Sequence, residues 1–433
     1  MEKYAVKKVN TIAELRDTKG EYEGQIITLL GYYTTNDKPP LKYKWTSADI
    51  LDDGGYSIQT IKGGTWIANL DYIIDIRHFG AKCDGISLDD DAIENTQIFI
   101  NTKRPLINIS AGNEKGGGIL YFPQNVHISK TIVLKKGVSI EGNSKVGTNI
   151  HCQEQIIGIT NSPGYDENGD IIYSSNFSLK NFTLTQGSIE IAGGSSIEVE
   201  NIRIMNIVGR NAFTISLFVN IHIKNVHIIS CDRVGFTATD SLGTGPSTTL
   251  YVDGLWTSHC FIGIVIDGKQ GSSHFLITSN FRNIISEYNT TGIILQGNIE
   301  NVSFDGIHLE QNDTASGIYD SVSVNLNNVW NDKGMIVLYN GDNQYNNKVY
   351  LKDIKSQLYV QNGYSGSIFV DSNIEWMGNP NTCIIYNSKG NTYNDSSEYS
   401  NRAPIGYTSS DKSSNKIVVF NGTNCVDSQG NIV

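Results

Sequence analysis

The sequence Phe281-Arg-Asn-Ile-Ile-Ser-Glu287 is repeated in outline 23 residues later as Phe304-Asp-Gly-Ile-His-Leu-Glu310. Each segment starts with an apolar residue, the anchor, has Asn or Gly two places later, and then alternates apolar with mostly polar residues. Six more segments align on this pattern, with anchors at Leu179, Val199, Ile223, Val252, Val324 and Leu351. The eight anchors are about 24.6 residues apart on average, a spacing typical of solenoid proteins.

The places after the anchor predict the shape of one repeat. Asn, Gly or Asp stands two places after the anchor in seven of the eight segments, and Leu326 is the exception. Asn, Gly and Asp tolerate the left-handed backbone that bends one strand into the next. The third place is apolar in seven segments and is expected to face inward, whereas the fourth and sixth places face solvent. The sequence therefore predicts an all-β fold, a single-stranded parallel β-helix.

Three zones divide the chain. Residues 1–69 combine a capped helix signal at Thr11-Ile-Ala-Glu-Leu-Arg16 with short strand patterns, and they predict a small α+β module. Residues 70–375 hold the repeats and one amphipathic helix, whose start at Asp89-Asp-Asp91 predicts N-terminal capping by aspartate. Residues 376–433 are polar and rich in Asn, Ser and Tyr, and we expect them to cap the solenoid.

Composition and charge narrow the range of partners. The net charge of −11 argues against nucleic acid and against an anionic membrane surface, but an acidic glycan needs only a local basic patch. We expect no signal peptide and no membrane span, because the start is charged and no stretch of about 18 apolar residues occurs. Cys231 and Cys260 share one repeat position, which Asn289 and Asn312 take next. We expect stacked free thiols there rather than a disulfide.

Several motifs resemble those of a known family. They are Phe79-Gly-Ala-Lys-Cys-Asp-Gly85, the Asp-rich helix start, Gly116-Gly-Gly-Ile-Leu-Tyr-Phe-Pro123 and Gly137-Val-Ser-Ile-Glu-Gly142. Together they resemble the start of the pectate-lyase-like β-helices of phage tailspikes, which implies a right-handed parallel β-helix, and the resemblance covers roughly residues 10–330. It implies a homotrimer on a phage or prophage tail, held by a tail, baseplate or adaptor protein. It also implies action on bacterial capsule or O-antigen as a hydrolase or lyase, although the fold alone does not fix the reaction.

The repeat places two carboxylates on neighbouring turns. Glu287 and Glu310 both stand six places after an anchor, so we expect them to face outward about 4.8 Å apart. Two like charges that close raise the pKa of one carboxyl group. One group then serves as an acid and the other as a base, as a retaining glycosidase requires. The alignment puts Trp330 one turn further along, with Trp256 and His308 at the fourth place of the same surface. The alternative is a solvated surface whose glutamates repel weakly and whose tryptophans pack against a neighbouring subunit.

Other candidates are secondary. Asp267 and Asp240 lie near strand ends, where they would line a groove between subunits or serve as turn aspartates. Carboxyl groups about 6.5–9.5 Å apart would suit an inverting hydrolase. A lyase would instead need a base, and a cation to neutralise the uronate carboxylate. The middle turns contain such side chains without forming a convincing set: His259, His274, His308, Arg282, Lys269 and Tyr288.

These patterns lead to one main hypothesis, a depolymerase of bacterial surface polysaccharide on the virion tail. We expect hydrolysis by paired carboxylates ahead of β-elimination, and the alternative from another class is a non-enzymatic receptor-binding tail protein. No cofactor or metal is expected, since no P-loop, nucleophile elbow, HExxH motif or calcium repeat occurs. The expected substrate contacts are Trp256, Trp330, His308, Arg282 and Tyr288.

Overall fold

The computed structural model describes two compact units, Met1–Ser162 with Ser174–Gly187, and Pro163–Tyr173 with Ser188–Val433. The described residues are 7–104, 107–110, 113–115, 117–161, 164–165, 171–172, 174–239, 247–268, 276–297, 299–313, 316–319, 323–339, 347–360, 366–371, 375–378, 383–387, 418–420 and 425–427. Most of the expected C-terminal cap lies outside the described residues, as do Asp240, Lys269 and His274.

The first unit opens with a five-stranded sheet and a short helix. The strands are β1 (Lys7–Val9), β2 (Ile26–Leu29), β3 (Leu41–Thr46), β4 (Ser57–Gln59) and β5 (Thr65–Ala68), in the order β1-β2-β3-β5-β4. Helix α1 (Ile12–Asp17) begins where predicted, because the Thr11 hydroxyl accepts a hydrogen bond from the Glu14 N–H. The buried rings of Trp45 and Trp66 meet edge to face at 5.0 Å. These residues form the small α+β module that the sequence predicts.

The parallel coil begins within the same unit. A 3₁₀ helix (Ile76–Phe79) and helix α2 (Asp90–Lys103) lie among strands β6 (Ile73–Asp75), β7 (Ile107–Ser110), β8 (Asn113–Lys115), β9 (Gly118–Phe122), β10 (Val126–Ile128), β11 (Ile132–Leu134), β12 (Val138–Gly142) and β13 (Asn149–Asn161). Strands β6, β9 and β12 pair in parallel, and β10 and β11 both pair in parallel with β13. Only β7 and β8, among these strands, pair antiparallel.

The aspartate before α2 does not cap the helix in the predicted way, whereas Asp90 and Asp91 lie in its first turn. Asp89 is the N-cap residue, but its side chain makes no hydrogen bond to the helix. Its buried carboxylate instead accepts hydrogen bonds from three backbone N–H groups outside the helix, those of Lys82, Cys83 and His127. Burial raises the pKa of Asp89 above its ordinary value, although the three N–H donors oppose the shift. The aspartate therefore fastens the helix to neighbouring segments.

Long, bent strands form the second unit. Strands β14 (Gly164–Tyr165) and β15 (Ile171–Ile172) are an antiparallel pair, β16 (Ser174–Ser175) belongs to the first unit, and β17 (Ser178–Ile207) starts there. The others are β18 (Phe213–Thr239), β19 (Ser247–Gly268), β20 (Leu276–Glu287), β21 (Thr291–Gly297), β22 (Ile299–Glu310), β23 (Ser316–Tyr319), β24 (Ser323–Tyr339), β25 (Asn347–Val360), β26 (Gly366–Asp371), β27 (Glu375–Gly378), β28 (Cys383–Asn387), β29 (Val418–Phe420) and β30 (Cys425–Asp427). Strands β17 to β28 pair in parallel. The predicted right-handed parallel β-helix is confirmed, and each of its turns is called a rung.

Among the described residues, three left-handed bends divide six of the rungs, and the rungs anchored at Leu326 and Leu351 have only the first of them. The predicted bend, two places after the anchor, has a φ of 52° to 76° at Asn181, Asn201, Asn225, Gly254, Asn283, Gly306, Asn328 and Asp353. A second bend lies three places before the anchor, at Asn176, Ser196, Asn220, Thr249, Thr278 and Asn301. A third lies seven places after it, at Gln186, Asn206, Ser230, His259, Tyr288 and Gln311. Between bends the backbone runs straight for four residues, so inward and outward places recur on every rung.

One repeat was misaligned by two residues in the sequence prediction. The structure pairs Phe304 with Leu326, whereas Val324 pairs with Val302, so Leu326 is the anchor of that rung. Asn328 then stands two places after the anchor, and the apparent exception at Leu326 disappears. The prediction was wrong because Val324 and Leu326 both face inward, and alternate places of one strand look alike in sequence.

Buried side chains stack on successive rungs at the place one residue after the third bend. Cys231 and Cys260 are register partners and both are free thiols, as expected. On the next rung the Asn289 carboxamide oxygen accepts the Cys260 N–H at 2.8 Å, and the Asn289 N–H donates to Asn312 Oδ1 at 3.1 Å. The asparagines thus satisfy backbone donors that water does not reach, which explains their place beneath the thiols.

Candidate functional site

The fourth and sixth places after the anchors form one outward surface of the second unit, which we call the Trp–Glu face. In register order the fourth place holds Arg203, His227, Trp256, Ile285, His308, Trp330 and Lys355. The sixth place holds Met205, Ile229, Ser258, Glu287 and Glu310. Most of these side chains are half-buried, because each lies against its neighbours one rung away.

Glu287 and Glu310 are direct register partners on adjacent rungs of this face. Paired strands lie about 4.8 Å apart, so the two carboxylates start from neighbouring backbone positions. The indole N–H of Trp256, one rung before, donates a 3.1 Å hydrogen bond to Glu287 Oε1. The repeat in the sequence predicted the pairing of the glutamates, but it gave no sign of the indole bond that fixes one of them.

His308 lies between Glu310 and Trp330. Its Nε2 atom is 3.2 Å from Glu310 Oε2, an ion-pair distance, but the contact lacks hydrogen-bond geometry. Its ring meets the Trp330 indole edge to face, with centroids 4.4 Å apart. His227 and Trp256 repeat this contact at 4.9 Å toward the other end of the face. Two His–Trp pairs therefore flank the carboxylates, and indole rings combine a flat apolar surface with a polar handle.

Trp330 occupies the fourth place of its rung and not the predicted sixth, as a consequence of the corrected register. It lies directly beside His308, its register partner. The sixth place after Leu326 belongs to Asp332, which the misaligned sequence did not single out. Its carboxylate accepts hydrogen bonds from the N–H and the Nε2 group of Gln311, at 2.9 and 2.8 Å. Asp332 therefore holds the third bend beside the glutamate pair.

Tyr288 lies at the third bend, on the border of the Trp–Glu face. Its φ is 52°, and its ring stacks on His259 of the preceding rung with centroids 5.4 Å apart. Bulky residues rarely adopt a positive φ, but this bend has one at the same place of five other rungs, so the repeat itself imposes it. His259 Nδ1 also lies 2.7 Å from the hydroxyl of Ser258. The border thus offers an exposed tyrosine and histidine, both able to exchange protons.

Arg282 does not join the Trp–Glu face. It stands one place after its anchor, and the bend at Asn283 separates it from the fourth place. Its register partners are Asp253 and Asp305, so charges alternate along this line of the neighbouring sheet. The position of Arg282 is that of an exposed cation between two acids, away from the glutamate pair.

Asp267 also lies elsewhere, on the strand after the bend at His259. Its register partners are Thr239 and Gln296. Burial raises the pKa of Asp267 above its ordinary value, while a hydrogen bond with Gln296 opposes the shift. The third bend separates Asp267 from the Trp–Glu face, and Asp240 lies outside the described residues.

Comparison with known proteins adds the following findings. Residues 8–71 match a family described as phage tail protein small four-stranded beta-sheet domain. The tailspike gp49 from Acinetobacter baumannii bacteriophage Fri1, described as a capsular polysaccharide depolymerase, is 12% identical with a TM-score of 0.58, over 92% of this chain and 79% of that chain. Pantoea stewartii WceF, described as a glycan biofilm modifying enzyme with a tailspike-like parallel beta-helix fold, is 14% identical with a TM-score of 0.55, over 78% and 48%. No protein of curated function matches in sequence.

The chain has the phage tailspike fold. A further solved structure with this fold, the tailspike of Acinetobacter baumannii phage AM24, is 12% identical with a TM-score of 0.51, over 89% of this chain and 64% of that chain. The chain spans about half the length of the Pantoea enzyme. At such identities the likeness carries the architecture, so the reaction has to be argued from side chains.

Within this tailspike-like fold, the Trp–Glu face combines two adjacent carboxylates with two indole rings. No cluster of three or more His, Cys, Asp or Glu side chains that could hold a metal ion occurs in the described part of the chain. The same part contains no helix long and apolar enough to cross a membrane. Two adjacent carboxylates between two indole rings can exchange protons with a glycosidic bond and hold sugar rings beside it.

Proposed function

We propose that the chain binds and cleaves a bacterial surface polysaccharide, capsule or O-antigen, at the Trp–Glu face. The observation that carries the proposal is the register pairing of Glu287 with Glu310, framed by Trp256 and Trp330. Retaining glycosidases hold their two carboxyl groups about 5–5.5 Å apart, a separation compatible with neighbouring rungs. The phage tail domain at residues 8–71 and the tailspike fold support a place on the virion tail.

The contacts of the two glutamates suggest different roles. Glu287 is held by the Trp256 indole N–H, which leaves its other oxygen free to attack the anomeric carbon. Glu310 then protonates the leaving glycosidic oxygen, with His308 beside it to position the carboxyl group. In the second step Glu310 takes a proton from water, and the resulting hydroxide releases the sugar from Glu287. The reaction is hydrolysis with retention at the anomeric carbon.

A lyase reaction is the second candidate, favoured by the stacked His259 and Tyr288 at the border of the face. Either side chain could remove the proton beside a uronate carboxylate in β-elimination. Such a reaction breaks the glycosidic bond without water and leaves an unsaturated sugar at the new end. The proposed homotrimer and its adaptor protein on the tail are compatible with both reactions.

Incubation with purified capsules and O-antigens tests the proposal. We expect shorter oligosaccharides with new reducing ends and no ultraviolet absorbance from unsaturated uronate, because the glutamate pair adds water across the bond. Appearance of that absorbance would replace hydrolysis by elimination. Binding to a polysaccharide without any shortening of it would contradict an enzymatic role and support a receptor-binding tail protein.

A further inference from the structure

One end of the Trp–Glu face carries a cation without a partner. Arg203 stands at the fourth place, with His227 as its register partner on the next rung. The sixth place beside it holds the apolar side chains of Met205 and Ile229. The Nε atom of Arg203 is buried and makes no hydrogen bond, and no ion pair of its guanidinium with a carboxylate is found among the described residues.

Two other cations of the second unit, Lys224 and Arg282, lie beside acids. Lys224 lies 3.6 Å from Glu200, and Arg282 stands in register between two aspartates. The acids nearest to Arg203 along its own face are Glu287 and Glu310, three and four rungs away. Three rungs correspond to about 14 Å, which exceeds the screening length of about 8 Å at physiological salt. The guanidinium is therefore not neutralised by the glutamate pair.

We propose that Arg203 binds the carboxylate of an acidic sugar residue, and that the substrate is consequently an anionic polysaccharide. This inference rests on the proposed function and adds the class of substrate. A half-buried guanidinium is a strong site for a carboxylate, because its planar fork donates two parallel hydrogen bonds. Trp256, two rungs from Arg203, then receives the next part of the glycan on the way to Glu287.

The charges along the face disfavour an acidic residue beside the glutamate pair and favour one at the Arg203 end. Glu287 and Glu310 repel a second carboxylate in the rungs where the bond is cleaved, whereas the Arg203 end holds no acid at either place. The chain as a whole has a net charge of −11, so a polyanion gains attraction only at a local cation. The face thus favours a glycan with an acidic residue about three rungs, roughly 14 Å, from the bond that is cleaved.

The inference is tested by binding to a panel of acidic bacterial capsules, each paired with its carboxyl-reduced form, in which the acid has become a neutral alcohol. The full chain is compared with Arg203→Gln and Arg203→Lys, and Arg282→Gln serves as the control because it removes a cation from the neighbouring sheet. Affinity for the acidic polymer and its dependence on salt are measured, together with KM and kcat where cleavage occurs.

We expect Arg203→Gln to weaken binding of the acidic polymer by about tenfold or more and to flatten its salt dependence, as loss of a charge-assisted hydrogen bond predicts. Arg203→Lys should recover part of the affinity, kcat should change less than KM, and the reduced polymer should bind the wild type and Arg203→Gln equally. Equal binding of acidic and reduced polymers by the wild type overturns the inference and leaves the proposed function intact. Failure of every polymer to bind overturns both.

Discussion

Single residues in left-handed conformation determine where each rung bends. Gly254 and Gly306 alternate with asparagines at the same repeat position, and all of them have a positive φ. Any residue other than Asn, Asp or Gly at this position lowers the stability of the fold by about 1–2 kcal/mol, because its Cβ crowds the following carbonyl oxygen. The position therefore tolerates few residue types, for a reason that concerns the backbone and not packing.

Gly306 allows this effect to be measured alone. A Cβ added at Gly306 would meet its nearest atom, the Asn283 N, at an ordinary 3.6 Å, so only backbone strain opposes a substitution. We expect Gly306→Ala to lower the free energy of unfolding by about 1–2 kcal/mol and Gly306→Asn by less than about 0.5 kcal/mol. Denaturant unfolding of the two variants measures the difference. Equal destabilisation by both would show that volume, and not conformation, governs the bend.

Residue preferences explain how much of the coil could be predicted. The bend after the anchor was predictable because Asn, Gly and Asp fill it, and the inward third place was predictable from its apolar residues. The third bend was not, because Gln186, Ser230, His259 and Tyr288 have no shared tendency toward a positive φ. Their conformation is imposed by the pairing of the strands on either side, which a single sequence does not display.

At the scale of elements, a cluster of buried ionisable groups joins the five-stranded sheet to the start of the coil in the first unit. His78 belongs to the 3₁₀ helix and is almost fully buried, and its Nδ1 atom has no hydrogen-bond partner. Burial lowers the pKa of His78 to about 4, and Lys38 and Arg77 lower it further while Asp75 opposes them. The buried Lys38 has its own pKa lowered to about 8, chiefly by burial.

His78 should make the first unit sensitive to acid. Because its pKa is near 4 when folded and near 6.5 when unfolded, the unfolded chain binds more protons between these values. Its contribution to stability is complete above pH 6.5 and is lost as the pH falls toward 4, by about 3 kcal/mol. We expect the thermal midpoint of the wild type to fall across this window and that of His78→Asn to fall less. Parallel curves for the two proteins would contradict the assignment.

The pairing of the strands also explains which residues of the candidate site the sequence predicted correctly and which it did not. Glu287 and Glu310 were predictable as neighbours because their segments have anchors that align without ambiguity. Trp330 was placed two residues out of register, and Asp332 was missed. The reason is that Val324 and Leu326, earlier in the same strand, both face inward and either could be taken as the anchor. The hydrogen bond from Trp256 to Glu287 depends on rotamers across rungs, about which sequence periodicity carries no information.

At the scale of the whole second unit, the Trp–Glu face extends from Arg203 to Lys355 over six rung steps, roughly 29 Å. A polysaccharide lying along it would meet a cation first, then an indole ring, the glutamate pair, a second indole ring and a final cation. Binding energy would thus be distributed over several rungs, while the proposed chemistry would be confined to two side chains. This division allows affinity and cleavage to be separated experimentally.

The most direct measurement is the cleavage rate of Glu287→Gln, Glu310→Gln and the double variant on a polysaccharide that the wild type shortens, with Glu300→Gln as an exposed control outside the face. We expect each single change to lower kcat by about a thousandfold or more, the double change to add little, and binding and the control to stay near wild type, because the two carboxylates act as one unit. Cleavage by both single variants within about tenfold of the wild type would contradict the account.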